Sequence, residues 1–488
     1  MTTLTHNFPP ANLVQSFFDR AELEPGRTYL YFNGRSVTYG QAGAIFRAFA
    51  DIIRSRGWGG DTDKIAVSTN DPAELLFTIW ACLYSGTSLV FCPRCDDIVQ
   101  MRAAMAASGA RTLLTDIARL CREDWAVSLK EILQPFTGDM TASEVSKRQE
   151  TPVRAEPTFM FQTSGTEGEP KWVQCHFWKC FEAVECMWRE GALQHAREQT
   201  VYLTPPLYHS YGLSTLLEYT RGGSTIVLPS GSSPLGPIGE LGNRDIAERI
   251  TAIEGVPHLY FQFSRLSGRF RLPALRHLGF GGGGLDVDSV KRLQNHYPEI
   301  TYSVRYGLTE TPSVVSHKLF RPPYDADWRS SGRIMPVYRL DIVDAFGKIL
   351  GPEQEGEIVV TGICVANYSD TESHSSENVL RTGDIGYLTS EGELVVVGRR
   401  SVFLKYRGFR LSPEQIETVI RSFSGVEDCR VSMQDSHLVA EVVSSGHSVS
   451  KSVLLNYLVE RLPAYAIPED VIQVELVPRT PSGKIKRY

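Results

Sequence analysis

The stretch Thr163-Ser164-Gly165-Thr166-Glu167-Gly168-Glu169-Pro170-Lys171 gathers three hydroxyls, two glycines and a lysine within nine residues. That mixture suits a phosphorylated ligand. Glycines let backbone N–H groups approach phosphate oxygens, hydroxyls add donors, and the lysine adds charge. The spacing is not that of GxxxxGK[ST], and a Ser/Thr/Gly stretch by itself is commonly a plain turn. Further candidates lie downstream. His209 sits in a Tyr-rich segment, four glycines run from 281 to 284, Glu310 and Asp384 follow small residues, and Lys484 stands on a Ser-Gly turn near the end. Taken singly, each has an ordinary explanation: a packed histidine, an N-cap or surface acid, a turn aspartate, a solvated tail lysine.

The elements that must carry these residues follow from periodicity. Phe159 to Gln162 is an apolar run that reads as a strand leading into the phosphate-type loop. Strands are predicted at Ile65–Ser68, Ser88–Phe91 and Arg111–Leu114, with helices at Ala73–Tyr84 and Met101–Ala107 between them. A second set comprises strands at Val201–Thr204, Thr225–Leu228, Leu275–Phe280 and Thr301–Arg305, with helices near Leu213–Tyr219, Arg244–Ile253 and Val287–His296. Alternation of this kind points to βαβ units and a mostly parallel sheet. After about residue 330 short strands dominate (341–344, 356–361, 387–388 and 394–397), suggesting a small β-rich subdomain. From about Gly398 the texture becomes α+β, with a helix at Pro413–Phe423, a strand around His437–Val443 and a helix at Val449–Arg461. The expected fold is α/β: stacked βαβ sheets with a β-rich subdomain, then a small α+β C-terminal unit. Ser230 to Gly242 reads as a surface loop.

Bulk properties narrow the function classes. The chain has 488 residues, 42% hydrophobic and 22% charged, with a net charge of -6. It can bury a large core without disulfide or metal staples. The acidic balance and the absence of a recognition motif disfavour nucleic acid as a partner. Nine cysteines form no regular framework, which fits a reduced cytoplasmic protein, and Cys92 and Cys95 read as core or loop thiols. Residues 75–93 carry no charge, but Ser85-Gly86-Thr87-Ser88 interrupts them, so a helix, turn and strand fit better than a transmembrane segment. Met1 to Pro10 has no secretory pattern.

The motifs together resemble the adenylate-forming superfamily, which includes acyl- and aryl-CoA synthetases, peptide-synthetase adenylation domains and firefly luciferase. Thr163 to Lys171 resembles its signature loop, Pro206-Leu207-Tyr208-His209-Ser210-Tyr211-Gly212 its acyl-pocket motif, and Gly281-Gly282-Gly283-Gly284-Leu285 the segment lining the adenine and acyl sites. Tyr306-Gly307-Leu308-Thr309-Glu310, Glu355-Gly356-Glu357-Ile358 and Arg381-Thr382-Gly383-Asp384 follow in family order. Gly398-Arg399 through Lys405-Tyr406-Arg407-Gly408-Phe409-Arg410, with Glu414 and Glu417, resembles the hinge motif. Pro478 to Arg487 carries the C-terminal lysine motif. The resemblance spans about residue 10 to the end, and its specificity lies in the ordered set.

What the resemblance implies is attack of a carboxylate on the α-phosphate of ATP, giving an acyl-adenylate and pyrophosphate. Lys484 would reach the substrate carboxylate and the α-phosphate. Glu310 would ligate Mg2+, and Thr309 would donate to phosphate. Asp384 would accept both ribose hydroxyls. Thr163, Ser164, Gly165, Thr166, Gly168 and Lys171 would form the phosphate loop. Gly282, Gly283, Tyr306, Gly307, Arg399 and Arg410 would complete the nucleotide site. Tyr208, His209, Tyr211, Gly212, Gly281 and Gly284 would line the acid pocket, with His209 at its border with the thiol site. A thiol then attacks the adenylate after the C-terminal unit rotates, bringing Lys405 to the site and leaving room at Gly408 for a pantetheine arm. The implied division is 1–397 large domain, 398–404 hinge and 405–488 lid. The pocket motif from Tyr208 to Leu217 contains no acid, so an α-amino acid is not expected; an aryl or fatty acid is. The acceptor would be CoA or a separate phosphopantetheinyl carrier protein, since the chain stops at Tyr488. Three departures stand out: Glu167 for a hydroxyl residue, Trp172 for glycine, and Ser401 in the hinge. A luciferase-like oxygenase and a catalytically silent binding module are the other readings considered.

Overall fold

The computed structural model describes residues 12–58, 63–134, 157–163, 171–231, 236–283, 287–312, 314–324, 328–368, 378–400, 402, 404–406, 409–435, 437–444, 449–479 and 485–486. Two large sheets form the framework. The seven-stranded sheet has a parallel core of Thr158–Thr163, Leu89–Phe91, Lys64–Ser68, Ala110–Thr115 and Ala126–Ser128 in that spatial order. Lys171–His176 and then Asn367–Tyr368 extend its first edge antiparallel. The thirteen-stranded sheet has a parallel core of Thr28–Phe32, Thr225–Val227, Thr200–Leu203, Ala252–Gly255, His277–Phe280 and Thr301–Tyr306. Most of these strands are short, largely apolar and buried.

Local signals start and stop the covering helices. Helix Tyr39–Ser55 opens with a capping box, Thr38 and Gln41 each bonding the other's backbone. Helix Pro72–Ser85 has Asp71 as N-cap, proline at its first turn, and Gly86 in the left-handed conformation at its end. It packs on Tyr39–Ser55 around Phe17, Phe46 and Trp80, with Phe46 and Trp80 stacked at 5.4 Å and 9°. Burial of each such ring stabilises the fold by roughly 1.5–3 kcal/mol. The uncharged stretch resolves into this helix and the strand Leu89–Phe91; among the described residues no helix is long and apolar enough to cross a membrane.

Several sequence expectations change. The helix expected over Arg244–Ile253 is a single turn, Arg244–Ala247, and Ala252–Gly255 is a central strand. A four-residue buried run is too short to declare its period, and the preceding Ile246 and Ile250 mimic a helical face. The β-rich strands expected after residue 330 are present. Through Ser316–Phe320 and Ser330–Ile334 they continue the thirteen-stranded sheet. The expected surface loop near Ser230–Gly242 contains the short helix Gly236–Glu240, whose buried Glu240 accepts from the Ser230 and Gly231 backbone N–H groups. Beyond Arg399 lie a hairpin, Leu404–Tyr406 with Phe409–Leu411, and a three-stranded sheet of Val426–Gln434, His437–Ser444 and Asp470–Gln473, with its own core around Ile416, Ile420, Val431 and Leu454.

Candidate active site

The motif segments lie at the C-terminal ends of the parallel strands, where open α/β sheets bind ligands. Thr163 ends one strand, Gly281 follows another, and Tyr306 ends a third. The structure brings three separate motifs together at Asp384. This residue lies within the ten-residue strand Val379–Leu388, not in a turn. Tyr306 donates its hydroxyl hydrogen to Asp384 Oδ2 at 2.8 Å. Arg399, cross-strand from Asp384, places Nε 3.3 Å from Oδ1. Thr382 fixes the local backbone, donating to the Ile358 carbonyl at 2.8 Å and accepting from the Asp384 N–H at 3.0 Å. Gly383 takes a φ of 71°, and no atom lies within 4 Å of where its Cβ would be. Burial, and then the Asp384 charge, push the Tyr306 phenol well above its ordinary pKa, so it stays a donor.

After Tyr306 the chain turns through Gly307 and Leu308 to Thr309 and Glu310, both partly buried. The turn is closed by the Leu308 N–H donating to Thr311 Oγ1 at 2.9 Å. The Ala366 N–H donates to the Glu310 carbonyl at 2.7 Å, tying this turn to the segment before Asn367–Tyr368. Glu310 thus offers a carboxylate at the strand end, the donor type a hard divalent cation takes. Asp384 offers an oriented carboxylate beside open space, an acceptor to which a ribose diol can donate. The residues present fit a magnesium nucleotide.

His209 is the N-cap residue of helix Ser210–Arg221, its ring 4.6 Å from that of Tyr208. Gly212 is buried in the first turn; a Cβ there would lie 2.2 Å from the Pro206 carbonyl oxygen, so glycine is required for the helix to pack under Pro205–Pro206. Gly281 rests on Tyr211, where an added Cβ would come within 2.8 Å of the ring and 3.1 Å of Arg305 Cγ. Gly282 and Gly283 are exposed on the same run.

Under Tyr211 lies a group of residues the sequence reading missed. Tyr211 donates to Glu254 Oε2 at 2.9 Å, and Tyr219 donates to Glu254 Oε1 at 2.9 Å. Arg305 donates to Glu254 at 3.1 Å and to Glu218 at 2.7 Å. Glu218 and Glu254 are 0% exposed and Arg305 is 5% exposed. Burial raises the Glu254 carboxyl against the opposing pull of Arg305; burial opposes the Arg305 charge, but Glu218 and Glu254 outweigh it and keep the guanidinium firmly protonated. Glu254 lies one residue beyond the helix expected over Arg244–Ile253, in a strand that periodicity did not predict. The only clue available was an acid and an arginine inside otherwise apolar strands.

His277 adjoins this group, its Nε2 3.9 Å from Glu254 Oε1. His195, Glu254 and His277 have ligand-type atoms within 4.8 Å of one another. Two of the three are engaged: His277 bonds Thr301 Oγ1 at 2.7 Å and Ser303 Oγ at 3.0 Å, and Glu254 holds two tyrosines and Arg305, whereas both His195 ring nitrogens are buried without a hydrogen-bond partner among the described residues. With Glu254 and His277 already bonded to other side chains, the three residues do not form an open cage for a metal.

Lys171 is exposed and pairs with Thr163 across the two strands flanking the phosphate-type loop. Trp172 is buried in the second of these strands. Lys405 and Arg410 face each other in register in the small hairpin. Ser164, Gly165, Thr166, Gly168, Gly284, Gly408 and Lys484, and the departures Glu167 and Ser401, lie outside the described residues. All nine cysteines are free; Cys92 is buried and Cys95 bonds Gln100 and the Asp97 backbone.

A strand-end site for a nucleotide on two stacked α/β sheets defines the adenylate-forming class. The chain belongs to the AMP-binding enzyme family, whose model matches residues 17–368, with the AMP-binding enzyme C-terminal domain matching residues 415–484. Among curated relatives, 2-succinylbenzoate–CoA ligase of Bacillus subtilis is 28% identical, over 96% of this chain and 95% of its own. 4-Coumarate–CoA ligase 3 of Arabidopsis thaliana is 25% identical, over 93% and 86%. Among solved structures, the Bacillus subtilis O-succinylbenzoate coenzyme A synthetase in complex with AMP superposes with a TM-score of 0.77 at 24% identity, covering 96% of each chain.

Proposed function

We propose that the protein activates a carboxylic acid lacking an α-amino group with ATP, releasing pyrophosphate, and transfers the acyl group from the adenylate to the thiol of CoA. The observation that carries this is the convergence of Tyr306, Asp384 and Arg399 from three separate motifs on one oriented carboxylate. Asp384 binds the ribose hydroxyls, with Tyr306 and Arg399 fixing its rotamer. Glu310 holds Mg2+, which when bound offsets the charge of the phosphates. Thr163, the loop after it and Lys171 hold the phosphates, and Thr309 donates to them. Tyr208, His209, Tyr211 and the 281–284 run bind the acid. Lys484 supplies a point charge where negative charge develops on the attacked phosphate. The curated CoA ligases that the chain resembles over nearly its full length support the acceptor.

The C-terminal unit, from about residue 405, alternates between the two half-reactions, delivering Lys484 first and then Lys405 and Gly408. Nine free thiols suit the cytoplasm. The test is pyrophosphate release with a panel of acids, with and without CoA. Acid-dependent release with a CoA thioester as product is expected. Release with no thioester would move the acceptor to a phosphopantetheinyl carrier protein; no release with any acid would sink the reading.

A further inference from the structure

We infer that the acid pocket is closed at Tyr211 and that the substrate is a compact aromatic acid, not a fatty acid. The inference rests on the acid-activation reading and narrows its substrate class. A fatty acyl chain needs an apolar channel long enough to bury its methylenes. Beneath Tyr211 the space is filled by Glu254, Arg305, Glu218 and Tyr219, bonded to one another and at most 5% exposed. The same strands leave no slack around them. A Cβ on Gly279 would lie 2.2 Å from the Glu254 carboxylate, and Tyr260 fills the next position, donating to the Gly279 carbonyl at 2.6 Å.

Opening a path through this floor would separate Arg305 from one of its two carboxylates. That strands a charge in an interior where such separations are strongly unfavourable. An apolar tail supplies no hydrogen bond in return. Above the floor the lining is small: the backbone of Gly281 packed on the Tyr211 ring, and the exposed Gly282 and Gly283. A planar ring stacks on such a surface with little loss of conformational freedom. Tyr211 is held in place from below by Glu254, which makes Glu254 a positioning residue for selectivity although no ligand touches it.

The experiment is kcat/KM for benzoate, 4-hydroxybenzoate, octanoate and dodecanoate, measured by pyrophosphate release on the full-length protein. An aromatic acid is expected to exceed octanoate by about 100-fold or more, with dodecanoate at background. Tyr211→Ala opens the wall: the preference for 4-phenylbenzoate over benzoate should rise at least about tenfold, with KM for ATP unchanged. Glu254→Gln should raise KM for the aromatic acid while leaving KM for ATP unmoved, a split that a general loss of folding would not give. Octanoate or dodecanoate turned over as well as the aromatic acids would overturn the closed floor and leave acid activation standing. Absence of pyrophosphate with every acid would overturn both.

Discussion

Asp384 shows how one residue's role depends on what the fold brings to it. Its neighbours in sequence are a threonine and a glycine; its neighbours in space are a phenol and a guanidinium from other motifs. Hydrogen bonds to a charged acceptor are worth about 1.5–3 kcal/mol, so Asp384→Asn should raise KM for ATP roughly 10- to 100-fold. The amide is isosteric, so thermal stability should change little. Unchanged ATP kinetics in the variant would remove Asp384 from the nucleotide site. The motif residues were picked out in sequence by resemblance to an ordered set of family motifs, since each taken singly has an ordinary explanation. Glu254 and Arg305 were not, because a buried charge pair within a strand has no spacing signature and is recognised only when its partners, Tyr211, Tyr219 and Glu218, are assembled around it.

At the scale of elements, the strand ends do the positioning, and most were readable from period-two or apolar runs. The helix Val287–His296 matches its expected bounds, while Ala252–Gly255 was hidden in an apparent helix. The central strands also bury imidazoles. His277 and His317, from strands on either side of Thr301–Tyr306, flank His195, with ring centroids at 3.9 Å and 6.0 Å from it. Burial lowers all three; His277 and His317 lower His195 further, and Arg305 depresses all of them, His317 to about 3. Tyr219 packs edge-on against His195 and does not supply a countercharge. An unfolded histidine titrates near 6.5. Protons therefore bind the unfolded chain first, so the stabilisation is complete above about pH 6.5 and is lost as pH falls towards the folded values. Each imidazole contributes up to about 1.4 kcal/mol per pH unit in that window. The melting temperature should hold steady between pH 7 and 8 and drop on going from pH 6.5 to 5, and His195→Phe should flatten the drop. A melting temperature independent of pH in that range would contradict the buried, neutral state.

At the scale of the molecule, the strands through Arg399 belong to the large sheet, and the hairpin from Leu404 begins a unit with its own core. Arg265 donates to the Val426 carbonyl, so the two parts touch through a polar contact from helix Pro257–Leu266. In sequence the texture changes near Gly398, as composition does when a new core starts. The orientation of the small unit was not legible, since it depends on surface contacts with no periodicity. Lys484 ends the stretch that the C-terminal domain model matches, and its proposed role is in adenylate formation alone. The most direct test is Lys484→Ala assayed on the two half-reactions separately, using the best acid of the panel and then its preformed adenylate with CoA. Adenylate formation should fall by about 100-fold or more, as expected for loss of a charge aimed at the transition state. Thioester formation from the preformed adenylate should stay within about threefold of the unsubstituted protein. An equal fall in both half-reactions would contradict a lysine that serves only the first step and a unit that turns between them.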